Sequence, residues 1–174
     1  MEKIIINKDN LKDEDMTEVI KKVKVMLINS KNEILIGYSY NCYQFPGGTH
    51  EEGEELIETV NREIEEETGI VLNVKDLEPF ACSFGYYKDW PKEGNNRKIE
   101  IYYYEMQLDE LPRLDNTNYT DAEIEGKFEL RYLPLDGIEE VLIKNAEEYP
   151  VAKPITNELL ELFKVYREKN KGLN

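Results

Sequence analysis

Apolar and polar residues alternate along several stretches of the chain, and this alternation predicts β-strands. In residues 18–29, Val19, Val23, Val25 and Leu27 fall on one side, and an apolar run at residues 34–36 follows a polar turn. The two segments together predict a β-hairpin. Further strands are predicted at residues 3–7, 71–74, 80–87, 98–108 and 128–133. Two long polar stretches, residues 88–98 and 110–127, predict loops, and loops of this length often carry function.

Helical spacing of apolar residues predicts three helices, at residues 56–68, 136–145 and 154–169. In the first, Leu56, Ile57, Val60 and Ile64 fall within an arc of roughly 100°, and Gly69 follows where glycine commonly ends a helix. Strands and helices alternate without a linker or a repeat. The 174 residues therefore predict one α/β domain over residues 1–174, with a mixed sheet between helices.

The composition narrows the class of partner. The chain has 37 acidic and 22 basic residues and a net charge of -15, which argues against nucleic acid or an anionic membrane as the main partner. Its two cysteines form no disulfide framework and no zinc spacing. No apolar run is long enough to span a membrane, and the start of the chain does not resemble a signal peptide. The default expectation is a cytoplasmic protein.

Carboxylates are concentrated in residues 48–70, which contain nine glutamates. On the predicted helix, Glu67 projects close to the middle of the apolar stripe, Glu63 lies at its edge, and Glu66 is about 60° further round. A solvated acidic face explains most of the other glutamates. It explains these three poorly, because a carboxylate facing a core is costly unless it is paired or bound to a metal. The spacing leaves both interpretations open.

The same stretch resembles the Nudix box, the sequence motif of the Nudix hydrolases. Every defined position of the motif is met, by Gly48, Glu54, Arg62, Glu63, Ile64, Glu66, Glu67, Gly69 and Ile70. Residues 45–48 resemble the usual lead-in, and residues 131–135 resemble the strand exit of the family, with Tyr132 where tryptophan is frequent. The resemblance implies the Nudix α/β/α sandwich.

The resemblance also implies a reaction and a set of site residues. The expected reaction is magnesium-dependent attack of water on a nucleoside diphosphate linked to another group, X, with manganese as a substitute metal. Glu66 and Glu67 are expected to bind the metal, together with the Gly47 carbonyl. Glu63 is a third ligand or the general base. Arg62 is expected to orient the glutamates through charge-assisted hydrogen bonds.

Two groups of residues outside the box complete these expectations. Many relatives add an acidic residue as a ligand or base, and Glu129 is chosen as a metal ligand because it is nearest to Tyr132. Glu93, Glu123 and Glu125 are the alternatives. For the substrate, the aromatic residues near the first long loop predict a base-stacking platform, with Arg97 or Lys98 meeting the phosphates, although core packing or ordinary loop exposure explains them nearly as well. The residues chosen for the substrate are Tyr86, Tyr87, Trp90 and Arg97.

Other members of the same fold family suggest competing functions. Isopentenyl diphosphate isomerases need a catalytic cysteine and a metal-binding set of histidines, and His50 is the sole histidine here. Decapping of messenger RNA is disfavoured by the negative charge. A catalytically silent sensor that binds a nucleotide is the main alternative, although such proteins tend to lose box glutamates. The expected partner is a small phosphorylated nucleotide, and a homodimer is left open because family members often form dimers.

Overall fold

A seven-stranded mixed β-sheet forms the centre of the computed structural model, which describes residues 1–171. The strands follow the order β1-β5-β6-β2-β3-β4, and β7 also pairs with β3. The β1–β5 and β2–β6 pairs are parallel, and the other pairs are antiparallel. The strands are β1 (Glu2–Asn7), β2 (Glu18–Ile28), β3 (Glu33–Ser39), β4 (Cys42–Gln44), β5 (Ala81–Tyr87), β6 (Arg97–Gln107) and β7 (Glu129–Pro134).

Helices cover both faces of this sheet. They are α1 (Leu56–Thr68), α2 (Asp121–Glu125), α3 (Ile138–Glu148) and α4 (Lys153–Asn170), with short 3₁₀ turns at Asp13–Asp15, Leu114–Asn116 and Pro150–Ala152. On one face, Val60 and Ile64 of α1 belong to the same buried cluster as Val23 of β2. On the other, α3 and α4 join a second cluster that contains Met26 and Phe163. This arrangement confirms the predicted sheet between helices.

Helix α1 has the predicted bounds. It ends at Thr68, and Gly69 follows in the left-handed conformation with φ of 71°. At its start, Glu55 and Glu58 form a reciprocal capping pair, which satisfies backbone N–H groups that a helix leaves free at its first turn. The helix therefore begins and ends at defined residues, which sets the direction in which each of its glutamates projects.

The sheet opens into a fork between β2 and β3. These strands pair through two positions, Leu27 with Leu35 and Ile28 with Ile34, so the hairpin prediction is confirmed over a short length. Beyond the fork, residues 46–50 run beside β2. The N–H of Val25 donates to the Pro46 carbonyl at 2.8 Å, and the N–H of Val23 donates to the Gly48 carbonyl at 3.0 Å. This segment contains Gly47 and Gly48 and is called the glycine turn below. It lies against the middle of β2.

The prediction of a strand at residues 71–74 is wrong, because this segment has no regular secondary structure. At Val74, a side chain and not a neighbouring strand satisfies the backbone. Asn61 of α1 donates to the Val74 carbonyl at 2.9 Å and accepts from the Val74 N–H at 3.1 Å. The short strand β4 and the short helix α2 were not predicted. No helix within residues 1–171 is long and apolar enough to cross a membrane.

Candidate functional site

A cleft of about 830 Å³, which we call the acidic cleft, opens at the fork of the sheet. One wall is the glycine turn with the glutamates of α1, and another is the segment at residues 118–123, which includes the start of α2. Lys22 and Lys24 of β2 also line it. The predicted residues Gly47, Arg62, Glu63, Glu66 and Glu67 all meet in this cleft.

Two glycines allow the glutamates to approach the backbone. A Cβ atom on Gly48 would lie 2.2 Å from an Oε atom of Glu63, so the space that a side chain would fill is taken by that carboxylate. Gly47 has φ of 127°, and a Cβ atom there would lie 2.4 Å from the Val23 carbonyl oxygen. The Gly47 N–H donates to Glu67 at 2.8 Å. The glycine pair is therefore required by close contacts with both α1 and β2.

Arg62 joins the carboxylates of the cleft. Its Nη1 donates to Glu63 at 2.8 Å and to Glu66 at 3.3 Å. Its Nε and Nη2 grip Glu54 at 2.7 and 3.0 Å, and Nη2 also reaches the Thr49 carbonyl at 3.0 Å. The hydrogen bonds from Arg62 lower the pKa of Glu54 to about 2. These contacts are those that an orienting residue would make, because one guanidinium fixes three carboxylates and the preceding loop.

Burial shifts the protonation of the two inner glutamates. Glu67 is 3% exposed, and burial raises its pKa to about 8, although the nearby Lys24 ammonium acts in the opposite direction. Burial also raises the pKa of Glu63, which Arg62 partly offsets. Lys24 donates a short hydrogen bond to the Gly47 carbonyl, and burial lowers the pKa of Lys22. The inner carboxylates therefore have less positive charge around them than two ionised groups need.

The donor set of this cleft fits a divalent cation. Carboxylate and carbonyl oxygens are the ligands that magnesium prefers, and a divalent ion would supply the missing positive charge. Within residues 1–171, no three His, Cys, Asp or Glu side chains are already grouped to hold an ion. The reason is that Glu63 and Glu66 face Arg62, whereas Glu67 faces the Gly47 N–H.

The structure brings Glu123, and not Glu129, to the cleft. Glu129 lies on β7 opposite Tyr38 and is ion-paired with Arg131, outside the residues that line the cleft. Glu123 lies on α2, lines the cleft, and contributes to the raised pKa of Glu67. It was one of the alternatives for the acidic residue outside the box. Its carboxylate caps α2 by accepting from the N–H of Thr120 at 2.6 Å.

The predicted aromatic platform lies in a separate cleft of about 510 Å³. This aromatic cleft is lined by β1, the end of β5, the loop after it and the start of α4, and Tyr86, Tyr87 and Trp90 all contribute. The rings of Tyr87 and Trp90 are 5.7 Å apart, and the Arg97 guanidinium lies 4.5 Å from the Trp90 ring. Tyr86 donates its hydroxyl hydrogen to Asp13 at 2.9 Å. None of the four lines the acidic cleft.

Sequence reasoning missed the two lysines of β2. Alternation places Lys22 and Lys24 on the side of the strand opposite Val23 and Val25, in line with Met26. Two lysines that continue a buried apolar row of a central strand are unusual, because lysine is seldom buried without a partner. That pattern was the available signal for a charged site on this side of the sheet.

Comparisons with known proteins agree with this geometry. A model of the NUDIX domain matches residues 20–157, so the chain belongs to the Nudix family. Members of this family generally use a divalent metal ion. Over 78 residues the chain is 41% identical to an ADP-ribose pyrophosphatase of Methanocaldococcus jannaschii, a match that covers 45% of this chain and 40% of that relative. Its fold is similar to the crystal structure of a mutator MutT protein from Bacillus halodurans, with a TM-score of 0.53, 24% identity and coverage of 70% and 72% of the two chains.

Proposed function

We propose that the protein is a magnesium-dependent hydrolase that cleaves the diphosphate bond of a nucleoside diphosphate linked to another group. The observation that carries the proposal is the meeting of Glu63, Glu66, Glu67 and the Gly47 carbonyl in one cleft, with Arg62 holding the carboxylates. The similarity to a protein named ADP-ribose pyrophosphatase supports a substrate of this class. Manganese is expected to substitute for magnesium because it accepts similar oxygen ligands.

The residues of the acidic cleft have different roles in this reaction. Glu66, Glu67 and the Gly47 carbonyl hold the metal, and Arg62 keeps the glutamates in place. The bound ion supplies charge neutralisation and lowers the pKa of a bound water. Glu63 either adds a ligand or accepts the proton of the attacking water, and Glu123 is the second group in position for that proton. A new bond from the water oxygen to phosphorus replaces the bridging P–O bond, which leaves two phosphorylated fragments.

Lys22 and Lys24 provide the positive charge for the substrate. Both line the acidic cleft, and Lys24 reaches the carbonyl of Gly47. In a chain with a net charge of -15, a substrate phosphate needs a local source of positive charge. We expect the two lysines to contact phosphate oxygens, whereas Tyr87 and Trp90 stack on the base and Arg97 supports them from behind the Trp90 ring.

The direct test is a hydrolysis screen with matched variants of α1. The purified protein is assayed with magnesium on nucleoside triphosphates, nucleotide sugars, ADP-ribose and dinucleoside polyphosphates, with phosphatase added where the product needs it. Glu66→Gln and Glu67→Gln are expected to keep the fold, measured by circular dichroism, and to remove most turnover. Glu65→Gln is the control, because Glu65 is exposed on the same helix.

Two results would change the assignment. Full magnesium-dependent turnover in both Glu66→Gln and Glu67→Gln would show that the metal site lies elsewhere. An absence of turnover across the panel, with nucleotide binding retained by the wild type, would favour the silent sensor.

A further inference from the structure

Two carboxylates line the aromatic cleft, Asp9 and Glu158, and Glu158 is the one that the sheet holds through hydrogen bonds. Glu158 of α4 lines this cleft beside Tyr87 and Trp90. One of its oxygens, Oε1, accepts from the Tyr103 hydroxyl at 2.6 Å and also accepts a short hydrogen bond from the Ser83 hydroxyl. Both donors are buried in the sheet. The carboxylate is therefore anchored through one oxygen by two rigid strands.

The carboxylate of Glu158 forms no ion pair with the lysines of its own cleft, Lys8 and Lys88, or with any other cation that the structure describes. Within residues 1–171, none of the ion pairs formed by Lys, Arg or His involves it. Its charge reaches the aromatic rings, because Glu158 is the second cause, after burial, of the raised pKa of Tyr87. The second oxygen, Oε2, makes no hydrogen bond within the same residues. An ionised carboxylate can only accept hydrogen bonds, so the cleft offers an acceptor next to two ring faces.

The strand register connects this cleft with the acidic cleft. Ser83 lies opposite Ile101, which in turn lies opposite Lys22, and Tyr103 lies opposite Lys24. All these side chains leave the same face of the sheet, and two strand spacings amount to about 10 Å. Tyr103 is buried in the same cluster as α4, whereas Ile101 is only partly buried, so a nucleotide that reaches both clefts passes over Ile101, with its base at Glu158 and its phosphates at Lys22.

We propose that Glu158 selects nucleotides whose base carries an exocyclic amino group. The amino group would donate to Oε2 of Glu158 while the ring stacks against Trp90. A base that lacks this amino group would leave the carboxylate without a donor and would bind more weakly. The inference rests on the proposed function, since it assigns the base specificity of the same substrate.

The test uses the fluorescence of Trp90, which is the only tryptophan in the chain and is 45% exposed. Nucleoside monophosphates are titrated in pairs that differ by one amino group: AMP against purine riboside 5′-monophosphate, and GMP against IMP. At least one pair is expected to show roughly tenfold or tighter binding of the amino-bearing member, as a hydrogen bond to a charged group would give. Equal affinities within both pairs would overturn the proposal without any variant.

A matched pair of variants assigns the preference to this carboxylate. Glu158→Gln retains an oxygen for the Ser83 and Tyr103 hydroxyls and turns an N–H donor toward the cleft, so the preference should fall to near unity or reverse. Glu161→Gln is the control, because Glu161 lies on the same helix and is ion-paired with Lys164 at the surface. Retention of the full preference by Glu158→Gln would refute the assignment. If tetramethylammonium quenched the Trp90 fluorescence and no nucleotide did, the cleft would be assigned to a cationic ligand, and the proposed role of Glu158 would be overturned.

Hydrolysis provides an independent readout. If the wild type turns over amino-bearing and amino-free substrates with equal kcat/KM, the inference fails and the proposed hydrolase stands. If the binding preference is present and no substrate is turned over, the specificity stands and the hydrolase proposal fails.

Discussion

The two adjacent glycines of the turn should respond differently to the same substitution. A methyl group at Gly47 would meet the carbonyl oxygen of Val23 at 2.4 Å and the Cα atom of Lys24 at 3.0 Å. For a methyl group at Gly48, the three nearest atoms would all belong to the carboxylate of Glu63, at 2.2 to 2.5 Å. Backbone atoms of a central strand cannot move aside, whereas a carboxylate at the end of a side chain can rotate away. Gly47→Ala should therefore reduce stability, and Gly48→Ala should reduce activity.

The size of the effect at Gly47 follows from two contributions. A non-glycine residue held at φ of 127° costs about 1–3 kcal/mol. Overpacking against fixed atoms costs roughly another 1–3 kcal/mol. Gly53→Ala measures the first contribution alone. Gly53 also has a positive φ, of 92°, but a Cβ atom there would have no neighbour within 4 Å. The difference between Gly47→Ala and Gly53→Ala is then the cost of the contact with β2.

Urea unfolding and steady-state kinetics measure both outcomes. Gly47→Ala is expected to lose about 2–6 kcal/mol of unfolding free energy, and Gly53→Ala about 1–3 kcal/mol. Gly48→Ala should unfold close to the wild type and should lower kcat at least tenfold, because Glu63 must leave its hydrogen bond with Arg62.

The reasoning would be refuted by either of two results. If Gly47→Ala were no less stable than Gly53→Ala, the turn would not pack against β2 as described. If Gly48→Ala kept the kcat of the wild type, the position of the Glu63 carboxylate would not matter for the reaction.

Three further predictions test the charges. Lys24→Met should raise KM for the nucleotide about tenfold, as loss of a charged hydrogen bond would, whereas Lys31→Met, at an exposed turn, should leave KM unchanged. Arg167 donates hydrogen bonds to the Glu139 carboxylate at 2.6 and 2.7 Å and lowers the pKa of Glu139. The pair therefore stabilises the fold at pH values above the ordinary glutamate pKa, and this contribution is lost as the pH falls through the lowered pKa. In urea unfolding, Glu139→Gln should lose roughly 1 kcal/mol of unfolding free energy at pH 7 and progressively less below pH 4.5. EDTA should abolish turnover, and added magnesium should restore it. Magnesium should also raise the melting temperature of the wild type more than that of Glu67→Gln. Equal increases in the melting temperature of the two proteins would show that the ion binds elsewhere.

The features that could be predicted from the sequence are those that depend on neighbouring residues. The helical stripe of Val60 and Ile64 and the glycine after Thr68 are local signals, and they fixed α1 to the residue. The same periodicity put Glu63 and Glu67 near the buried face, where the structure has them. For residues 71–74 the local pattern of a strand was present, but the segment has no regular secondary structure, and Asn61 satisfies the backbone of Val74.

The acidic residue outside the box could not be chosen from the sequence, because that choice depends on long-range pairing. Glu129 and Glu123 are six positions apart in the chain, and although Glu123 belongs to a capping box with Thr120, neither residue has a local pattern that marks a metal ligand or a base. The pairing of β7 with β3 places Glu129 opposite Tyr38, whereas the capping box of α2 turns the chain so that Glu123 faces α1 across the cleft. A spacing rule from Tyr132 cannot report either interaction.

The division of the proposed ligand-binding surface into two clefts has a consequence for specificity. The acidic cleft contains the box residues and the β2 lysines, which suit a metal ion and phosphates, together with the segment at residues 118–123. The aromatic cleft is built from β1, β5 and α4, which contribute none of the box residues. Substitutions at Glu158 or Trp90 should therefore change which nucleotide is bound and leave kcat for the preferred one within a few-fold, whereas substitutions at Glu67 should abolish turnover of every nucleotide equally. Parallel loss of kcat and of base preference in Glu158→Gln would show that the two clefts act as one site.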